Sequence, residues 1–238
     1  MGKHLRKKDR KLEKEMKPKQ RVKSFEPIRP NSDRQRDVIN AIRNHTLSFV
    51  TGFAGTGKTL LAVSEALRML ESGAAEKLVL IRPMVAVGKD IGYLPGNVED
   101  KVGPYSNALL YYIDDLMGQK GTAKKWIEVG LIEMVPIALI RGLTFKHSVI
   151  ILDEAQNTTK SEMEAVLTRI GENSKMIIVG DEDQKDIRDD SGLTDILDRL
   201  EHVEDRGIEV ADIAVVEMGY EDIQRHEMLR TLHTLYTL

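Results

Sequence analysis

The 238-residue chain contains no cysteine, which excludes disulfide bonds, cysteine-ligated zinc and thiol catalysis. The six histidines show no spacing typical of a metal site. No apolar run approaches the ~20 residues that a membrane-spanning helix needs, so we expect no membrane association. The composition that remains, 41% hydrophobic and 31% charged, is ordinary for a soluble protein with one main domain.

The amino terminus is basic, but no apolar segment follows it, so the sequence predicts no secretory signal. We therefore expect the protein in the cytoplasm, either of a cell or of an infected host. The charge is unevenly distributed: residues 1–23 carry 11 Lys/Arg and 3 Asp/Glu, a balance of +8 that leaves −11 for the remainder. We expect residues 1–30 to form a disordered basic tail and residues 31–238 to form the folded domain. The tail suits either contact with nucleic-acid phosphates or a solubilising role.

Apolar runs alternate with helix-like segments along residues 31–238. The predicted strands are continuously apolar, which is typical of parallel strands buried on both faces. Strands are expected at 47–51, 77–82, 131–135, 148–152, 176–179 and 208–216. Helices are expected near 33–42, 60–71, 105–117, 123–129, 160–170, 193–200 and 222–235. The pattern predicts an α/β fold, with a mostly parallel sheet, helices on both faces and a helical and loop insertion at 84–130.

The segment between the first strand and the next helix has the pattern G-x-x-x-x-G-K-[ST], the phosphate-binding loop of nucleotide-binding proteins. Its residues are Gly52, Phe53, Ala54, Gly55, Thr56, Gly57, Lys58 and Thr59. The glycines let backbone amides face the phosphates, and the following helix presents its positive end. Lys58 is expected to reach the outer phosphates, and the Thr59 hydroxyl is expected to bind Mg²⁺. The sequence thus predicts binding of a nucleoside triphosphate together with Mg²⁺.

Two carboxylates follow the strand at 148–152. We expect Asp153 to hold Mg²⁺ through a water molecule and Glu154 to orient or deprotonate the attacking water. The next strand is followed by Gly-Asp-Glu-Asp-Gln, in which Gln184 suits a sensor that contacts both the γ-phosphate and the catalytic water. A polar turn rich in acids is the alternative interpretation of that segment.

Taken together, these motifs resemble the core of superfamily 1 helicases and, more fully, the PhoH family of phosphate-starvation-inducible P-loop ATPases. The resemblance covers the chain from about Asn31 to the carboxyl terminus. It rests on Gly52–Thr59, Arg82-Pro83, Gly92–Gly96, Lys101 with Pro104-Tyr105, Arg141-Gly142-x-Thr144, Ile151–Asn157, Leu167–Gly171, Gly180-Asp181-x-x-Gln184, Ser191–Leu193 and Arg225-His226. The resemblance implies a single RecA-like domain, ATPase activity and a proposed RNA or DNA helicase role. It also makes Gln35 either an adenine-reading side chain or an ordinary glutamine on a helix surface.

Superfamily 1 helicases hydrolyse ATP between two RecA-like domains, and this chain has room for one. The resemblance therefore implies a site completed by a neighbouring subunit in a closed homo-oligomeric ring, which we expect to be hexameric. The candidates for an arginine donated in trans are Arg141, Arg169 and Arg225, and Arg225 also suits a γ-phosphate sensor in its own subunit. An ordinary surface ion pair is the alternative for each.

A single RNA or DNA strand is the expected partner. Arg82 follows the second strand, where helicase cores contact the phosphodiester backbone. In the insertion, Lys89 and Lys101 suit phosphates, and Tyr93 and Tyr105 suit stacking on bases. The insertion equally suits an oligomerisation segment. Two further hypotheses for the whole chain remain open: a P-loop kinase and a nucleotide-switched scaffold without motor activity.

Overall fold

The computed structural model describes residues 25–83 and 108–224. Most of the predicted tail, the first half of the predicted insertion and most of the predicted last helix lie outside these ranges. All six predicted strands have a counterpart in one sheet. They are β1 (Leu47–Gly52), β2 (Lys77–Arg82), β3 (Ile132–Pro136), β4 (Ser148–Leu152), β5 (Lys175–Val179) and β6 (Ile213–Met218).

The sheet has the strand order β3-β2-β4-β5-β1-β6, and every neighbouring pair is parallel. The α/β class with a parallel sheet is therefore confirmed. Because β5 lies between β1 and β4, the segment after β5 is placed between the phosphate-binding loop and Asp153. The carboxyl ends of parallel strands meet at one edge, so the three predicted motifs converge there.

Helices cover both faces of the sheet. They are α1 (Asp33–Asn44), α2 (Lys58–Ser72), α3 (108–116), α4 (Thr122–Glu128), α5 (Lys160–Leu167) and α6 (Gly192–Asp205). α1 begins at Ser32, whose hydroxyl accepts a hydrogen bond from the Gln35 amide at 3.1 Å. α2 begins after Gly57 with no side-chain cap, which leaves its first amides available to a ligand.

Successive strand residues alternate between two hydrophobic cores, one on each face of the sheet. Ile150 and Leu152 of β4 contribute to the core beneath α5 and α6, whereas Val149 and Ile151 contribute to the core beneath α1 to α4. All five residues of β4 are buried. A strand covered on both faces has no need of polar residues, which explains the continuously apolar sequence.

The structure differs from the sequence prediction at both ends of the domain. Phe25 and Ile28 pack against the first core, and the Ile28 amide donates to the Ser64 hydroxyl at 3.0 Å, so the packed chain begins before Asn31. The last strand begins at Ile213 rather than at residue 208. Tyr220–Asp222, where a helix was predicted to begin, is a short 3-10 turn.

The end of the predicted insertion belongs to the core. Leu109 and Ile113 of α3 and Ala123 of α4 are buried there, because both helices present an apolar face to the sheet. Across residues 25–83 and 108–224, no helix has the length and apolarity to cross a membrane.

Candidate nucleotide site

The phosphate-binding loop leaves β1 through a glycine that no other residue could replace. Gly52 has φ 114°, and a Cβ on it would lie 2.0 Å from the carbonyl oxygen of Met218 on β6. Gly57, at φ 94°, closes the loop and starts α2. Both positions need backbone conformations that side chains disfavour, so the loop curls back over the start of α2 as the sequence predicts.

The loop is also held by the segment that follows β6. The Phe53 amide donates to the Met218 carbonyl at 3.4 Å, and the Gln224 amide donates to the Gly55 carbonyl at 3.1 Å. The rings of Phe53 and Tyr220 meet edge to face, with centroids 6.4 Å apart. The contact between this segment and the loop was not predicted, since backbone hydrogen bonds leave no sequence motif.

Gln35 supports the loop from below. It is 4% exposed, its amide nitrogen donates to the Thr56 carbonyl at 3.0 Å, and its oxygen accepts from the Asn31 amide at 2.8 Å. The interpretation of Gln35 as a helix-surface residue is therefore wrong. The hydroxyl of Ser32, which caps the same helix, donates to buried Asp222 at 2.6 Å. A chain of hydrogen bonds thus connects the loop to the residues after β6.

Lys58 is buried beneath the loop, with 8% of its surface exposed. Its ammonium donates to the carbonyls of Gly52 and Phe53, the latter at 2.7 Å, and lies 4.0 Å from Asp181. Burial lowers the pKa of Lys58, although Asp181 and the two carboxylates after β4 oppose the shift. A buried cation at the mouth of an amide-lined loop suits a polyanion.

The two residues predicted to hold Mg²⁺ are neighbours, with the Thr59 hydroxyl donating to Asp153 Oδ1 at 3.0 Å. Asp153 is 3% exposed, and burial raises its pKa to about 6. Glu154 raises this pKa further, whereas Arg82 and the Thr59 hydroxyl oppose the rise. A buried carboxylate beside a hydroxyl provides the hard oxygen donors that Mg²⁺ prefers.

Glu154 adopts a left-handed conformation, φ 55° and ψ 41°, between β4 and the 3-10 turn Ala155–Asn157. Such a conformation is unfavourable for a residue with a side chain and is found at functional sites. Arg82 Nη2 donates to Glu154 Oε1 at 2.9 Å, and Gln156 Nε2 donates to Oε2 at 2.8 Å. Arg82, predicted as a nucleic-acid contact, thus lies in the nucleotide site against the proposed base.

Gln156 and Asp181 are residues for which the sequence predicted no role. Gln156 is fully buried; its side-chain oxygen accepts from the Asp181 amide at 3.0 Å, and its nitrogen reaches the Gln184 carbonyl at 3.4 Å. The Gln184 side chain donates to Asp181 Oδ2 at 2.7 Å. Burial raises the pKa of Asp181, and Lys58 opposes that shift. Gln156 therefore ties the end of β4 to the end of β5.

A cavity of about 660 Å³ joins these groups. Its lining includes phosphate-loop residues, the polar side chains Arg82, Glu154, Asp181 and Gln184, and Tyr111 and Tyr112 of α3. Tyr111 is 62% exposed at this position, whereas Tyr112 and Trp126 are partly buried against the core. The sequence carried no signal that places Tyr111 in this cavity, because its neighbours in space come from other elements.

Two of the predicted arginines, Arg141 and Arg169, do not line the described cavity. Arg141 is exposed, and Arg169 donates to the Leu143 carbonyl at 3.1 Å. Arg141 lies on the connection between β3 and β4, and Arg169 lies on the segment that leads from α5 into β5. Other predicted residues lie outside the described ranges, namely Lys89, Tyr93, Lys101, Tyr105 and Arg225.

Comparison with known proteins agrees with this geometry. The profile of the family described as PhoH-like protein matches residues 27–237. This chain belongs to the PhoH-like family. It is 39% identical over 211 residues to a PhoH-like protein of Bacillus subtilis (strain 168), covering 88% of this chain and 64% of that protein. It is 36% identical over 214 residues to Protein PhoH of Escherichia coli (strain K12), covering 87% and 58%.

The PhoH-like chain thus spans 58–64% of the length of these two curated relatives. Among solved structures, it is similar to the large terminase of a thermophilic bacteriophage, with TM-score 0.52 and 10% identity. That similarity covers 87% of this chain and 50% of the terminase, and it concerns the fold alone. The predicted RecA-like P-loop NTPase fold and the predicted family are both confirmed.

Proposed function

We propose that this PhoH-like domain is a Mg²⁺-dependent ATP hydrolase whose activity is coupled to a single strand of RNA or DNA. The observation that carries the proposal is the convergence of Lys58, Thr59 with Asp153, Glu154 and Gln184 on one cavity. These groups come from three strand ends that are distant in sequence and adjacent in the sheet. Together they provide phosphate binding, a cation site, a base and a sensor, which ATP hydrolysis requires.

The residues fit Mg²⁺. The Thr59 hydroxyl and the buried Asp153 carboxylate are oxygen donors 3.0 Å apart, and Arg82 Nη1 is 4.0 Å from Asp153 Oδ2. Burial is the main cause of the raised pKa of Asp153, and a cation bound beside this carboxylate would favour its charged form. When bound, Mg²⁺ would neutralise charge on the phosphate oxygens.

Three side chains of this protein, Lys58, Glu154 and Gln184, have separate roles in the proposed hydrolysis. In this proposal the Lys58 ammonium leaves the carbonyls of Gly52 and Phe53 and binds the outer phosphates. Glu154 orients the attacking water and accepts its proton. Gln184, which is bonded to Asp181 in this structure, turns towards the water and the γ-phosphate. Because Gln184 would contact the γ-phosphate, loss of that phosphate on hydrolysis would change the conformation of the loop after β5.

Coupling to nucleic acid is supported by the helicase-like motifs and by the cavity. Arg82 and the exposed Tyr111 line the same cavity, and a cation together with an aromatic ring suits a phosphate and a stacked base. Apart from the basic tail, the chain carries a net charge of −11. Binding is therefore expected to be confined to a narrow path and to weaken steeply with salt.

The ring assembly is part of the proposal. Arg141 and Arg169 are not among the residues that line the described cavity of their own subunit. A head-to-tail contact would bring these arginines of one copy to the cavity of the next, and such contacts can close into rings. Arg141 and Arg169 are therefore the candidates to complete the neighbouring site.

The direct test is the steady-state ATPase rate of the full chain with Mg²⁺, with and without oligo(U) or oligo(dT), across protein concentration. We expect stimulation by the strand and a specific activity that rises as copies associate. A rate indifferent to strand and concentration would contradict both the coupling and the shared site.

A nucleotide-switched scaffold is the second candidate. It is favoured by the bonds that hold Glu154 to Arg82 and Gln184 to Asp181, since both groups would have to rearrange before hydrolysis. This hypothesis predicts slow hydrolysis and assembly that depends on ATP but ignores nucleic acid. The same rate series separates it from the first candidate.

A further inference from the structure

The proposed catalytic base is restrained by bonds to both of its oxygens. Arg82 Nη2 holds Oε1 of Glu154 at 2.9 Å from the β2 side, and Gln156 Nε2 holds Oε2 at 2.8 Å from the β5 side. Gln156 is fully buried, so that bond belongs to the core of the site. The Arg82 side chain is 24% exposed and lines the cavity, so a ligand can reach it.

The Arg82–Glu154 ion pair is also of a kind that a competing anion can break readily. Both side chains are partly exposed, at 24% and 38%, and such ion pairs contribute little to stability. A guanidinium binds phosphate through the same parallel N–H groups that it offers to a carboxylate. A phosphodiester at the cavity mouth therefore competes with Glu154 for Arg82, because the guanidinium binds both groups with the same hydrogen-bond geometry.

The surroundings of Arg82 favour a nucleic-acid strand as the competitor. Tyr111 lines the same cavity, exposes 62% of its surface and offers a ring on which a base can stack. Lys58, Thr59 and the start of α2, which are proposed to bind the nucleotide phosphates, line this cavity too. The cavity thus provides separate cationic groups for two phosphate ligands.

We infer that Arg82 couples strand binding to hydrolysis: it holds the Glu154 carboxylate towards β2 until a strand phosphate takes its guanidinium. Released from Arg82, the carboxylate turns to the attacking water while Gln156 keeps it beside the site. Arg82 acts through Glu154 and is therefore a positioning residue. This inference rests on the proposed function, because it requires both ATP hydrolysis and strand binding.

The test compares Arg82→Ala and Arg82→Lys with the wild-type chain, using kcat and KM for ATP with and without oligo(U) or oligo(dT). For Arg82→Ala we expect a basal kcat about fivefold higher, as for loss of one partly exposed ion pair, and no stimulation by the strand. Its KM for ATP should stay within about twofold of wild type. Arg82→Lys should keep partial stimulation, since lysine binds phosphate without the fork of arginine.

Strand binding gives a second readout, by fluorescence anisotropy of the labelled oligonucleotide across salt concentrations. Arg82→Ala should weaken binding and reduce the salt slope by about one, as for loss of one phosphate contact. The matched control is Arg199→Ala, which removes an exposed arginine paired with Asp195 on α6. Melting temperatures of all variants verify folding.

The outcomes separate the two proposals. If the wild-type chain shows no ATPase activity or no stimulation, the proposed function fails and the coupling fails with it. If the wild type is stimulated and Arg82→Ala is stimulated equally, only the role of Arg82 is overturned. A higher KM for ATP in Arg82→Ala would instead assign Arg82 to the nucleotide phosphates and overturn the inference, as would a lower basal kcat.

Discussion

On the phosphate-loop side of the cavity the supports come from outside the site, whereas on the carboxylate side the functional groups bond to one another. Gln35 and the residues after β6 hold the loop through buried side-chain and backbone contacts. On the carboxylate side, Arg82 holds Glu154 and Asp181 holds Gln184. The backbone of the phosphate loop is therefore held by groups outside the site, with only Lys58 leaving its carbonyl partners to bind phosphate, whereas both Glu154 and Gln184 must exchange bonds before they act.

This difference separates two kinds of defect. Changes on the phosphate-loop side should act on nucleotide affinity, because the backbone of the loop is already held in place. Changes on the carboxylate side should act on kcat, because its groups meet the reacting atoms only after rearrangement. The following predictions test that division.

Glu154→Gln should have the largest effect. It keeps the shape of the side chain but removes the proton acceptor, so kcat should fall by roughly 10³-fold. Nucleotide affinity, measured by calorimetry, should change little. Glu201→Gln, an exposed position on α6, is the matched control. A mutant that turns over near the wild-type rate would remove Glu154 from its role.

Lys58→Ala should act on binding. Loss of the only lysine ammonium that lines the described cavity should weaken ATP affinity by roughly 100-fold. Folding should be preserved, since burial already disfavours the charged form of Lys58. Lys77→Ala, which breaks the partly exposed pair with Glu133, is the control for loss of one lysine. Unchanged affinity in Lys58→Ala would show that the phosphates bind elsewhere.

Asp153→Asn should increase the stability of the ligand-free protein. The same change should abolish the stabilisation that Mg²⁺ with ATP provides. The pKa of Asp153 is about 6 in the fold against an ordinary 3.8, so between these values the folded state keeps a proton that the unfolded chain has released. The free energy of unfolding therefore falls as pH rises through that window, by at most about 3 kcal/mol.

Denaturant unfolding at pH 4 and pH 8 measures this contribution. Asp153→Asn should lack it and so exceed wild type at pH 8, whereas Asp198→Asn, exposed on α6, should not. Equal pH dependence of unfolding in wild type and Asp153→Asn would show that ionisation of the buried carboxylate does not lower the free energy of unfolding. Mg²⁺ with ATP should stabilise the wild type and Asp198→Asn but not Asp153→Asn.

Gln35→Ala should have the smallest effect on chemistry. It leaves the Thr56 carbonyl and the Asn31 amide without their buried partner, which should cost about 1–3 kcal/mol of stability. Nucleotide affinity should fall by less than about tenfold, with kcat preserved. Gln119→Ala, at an exposed turn, is the control. A loss of kcat without a loss of affinity would place Gln35 in catalysis rather than in support of the loop.

Local sequence predicted much of the fold, because each strand is an apolar run bounded by charged or turn residues. The phosphate loop is a contiguous motif, and Asp153 follows directly from an apolar strand. The last strand was misplaced, because Ile208 and Val210 are apolar but precede the strand, and Ile208 is 55% exposed. An apolar residue in an exposed segment is indistinguishable by sequence from one in a strand.

Composition and motifs by themselves determined the class of fold, the family and the position of the phosphate-loop motif, since these depend on periodicity and on residues close in the chain. Only the tertiary structure decided that Gln35 is buried beneath the loop, that Gln156 joins β4 to β5, and that Arg82 holds Glu154. These contacts join strand ends and helices that lie 21 to 72 residues apart. Their partners are set by the order of strands in the sheet, which no local pattern specifies.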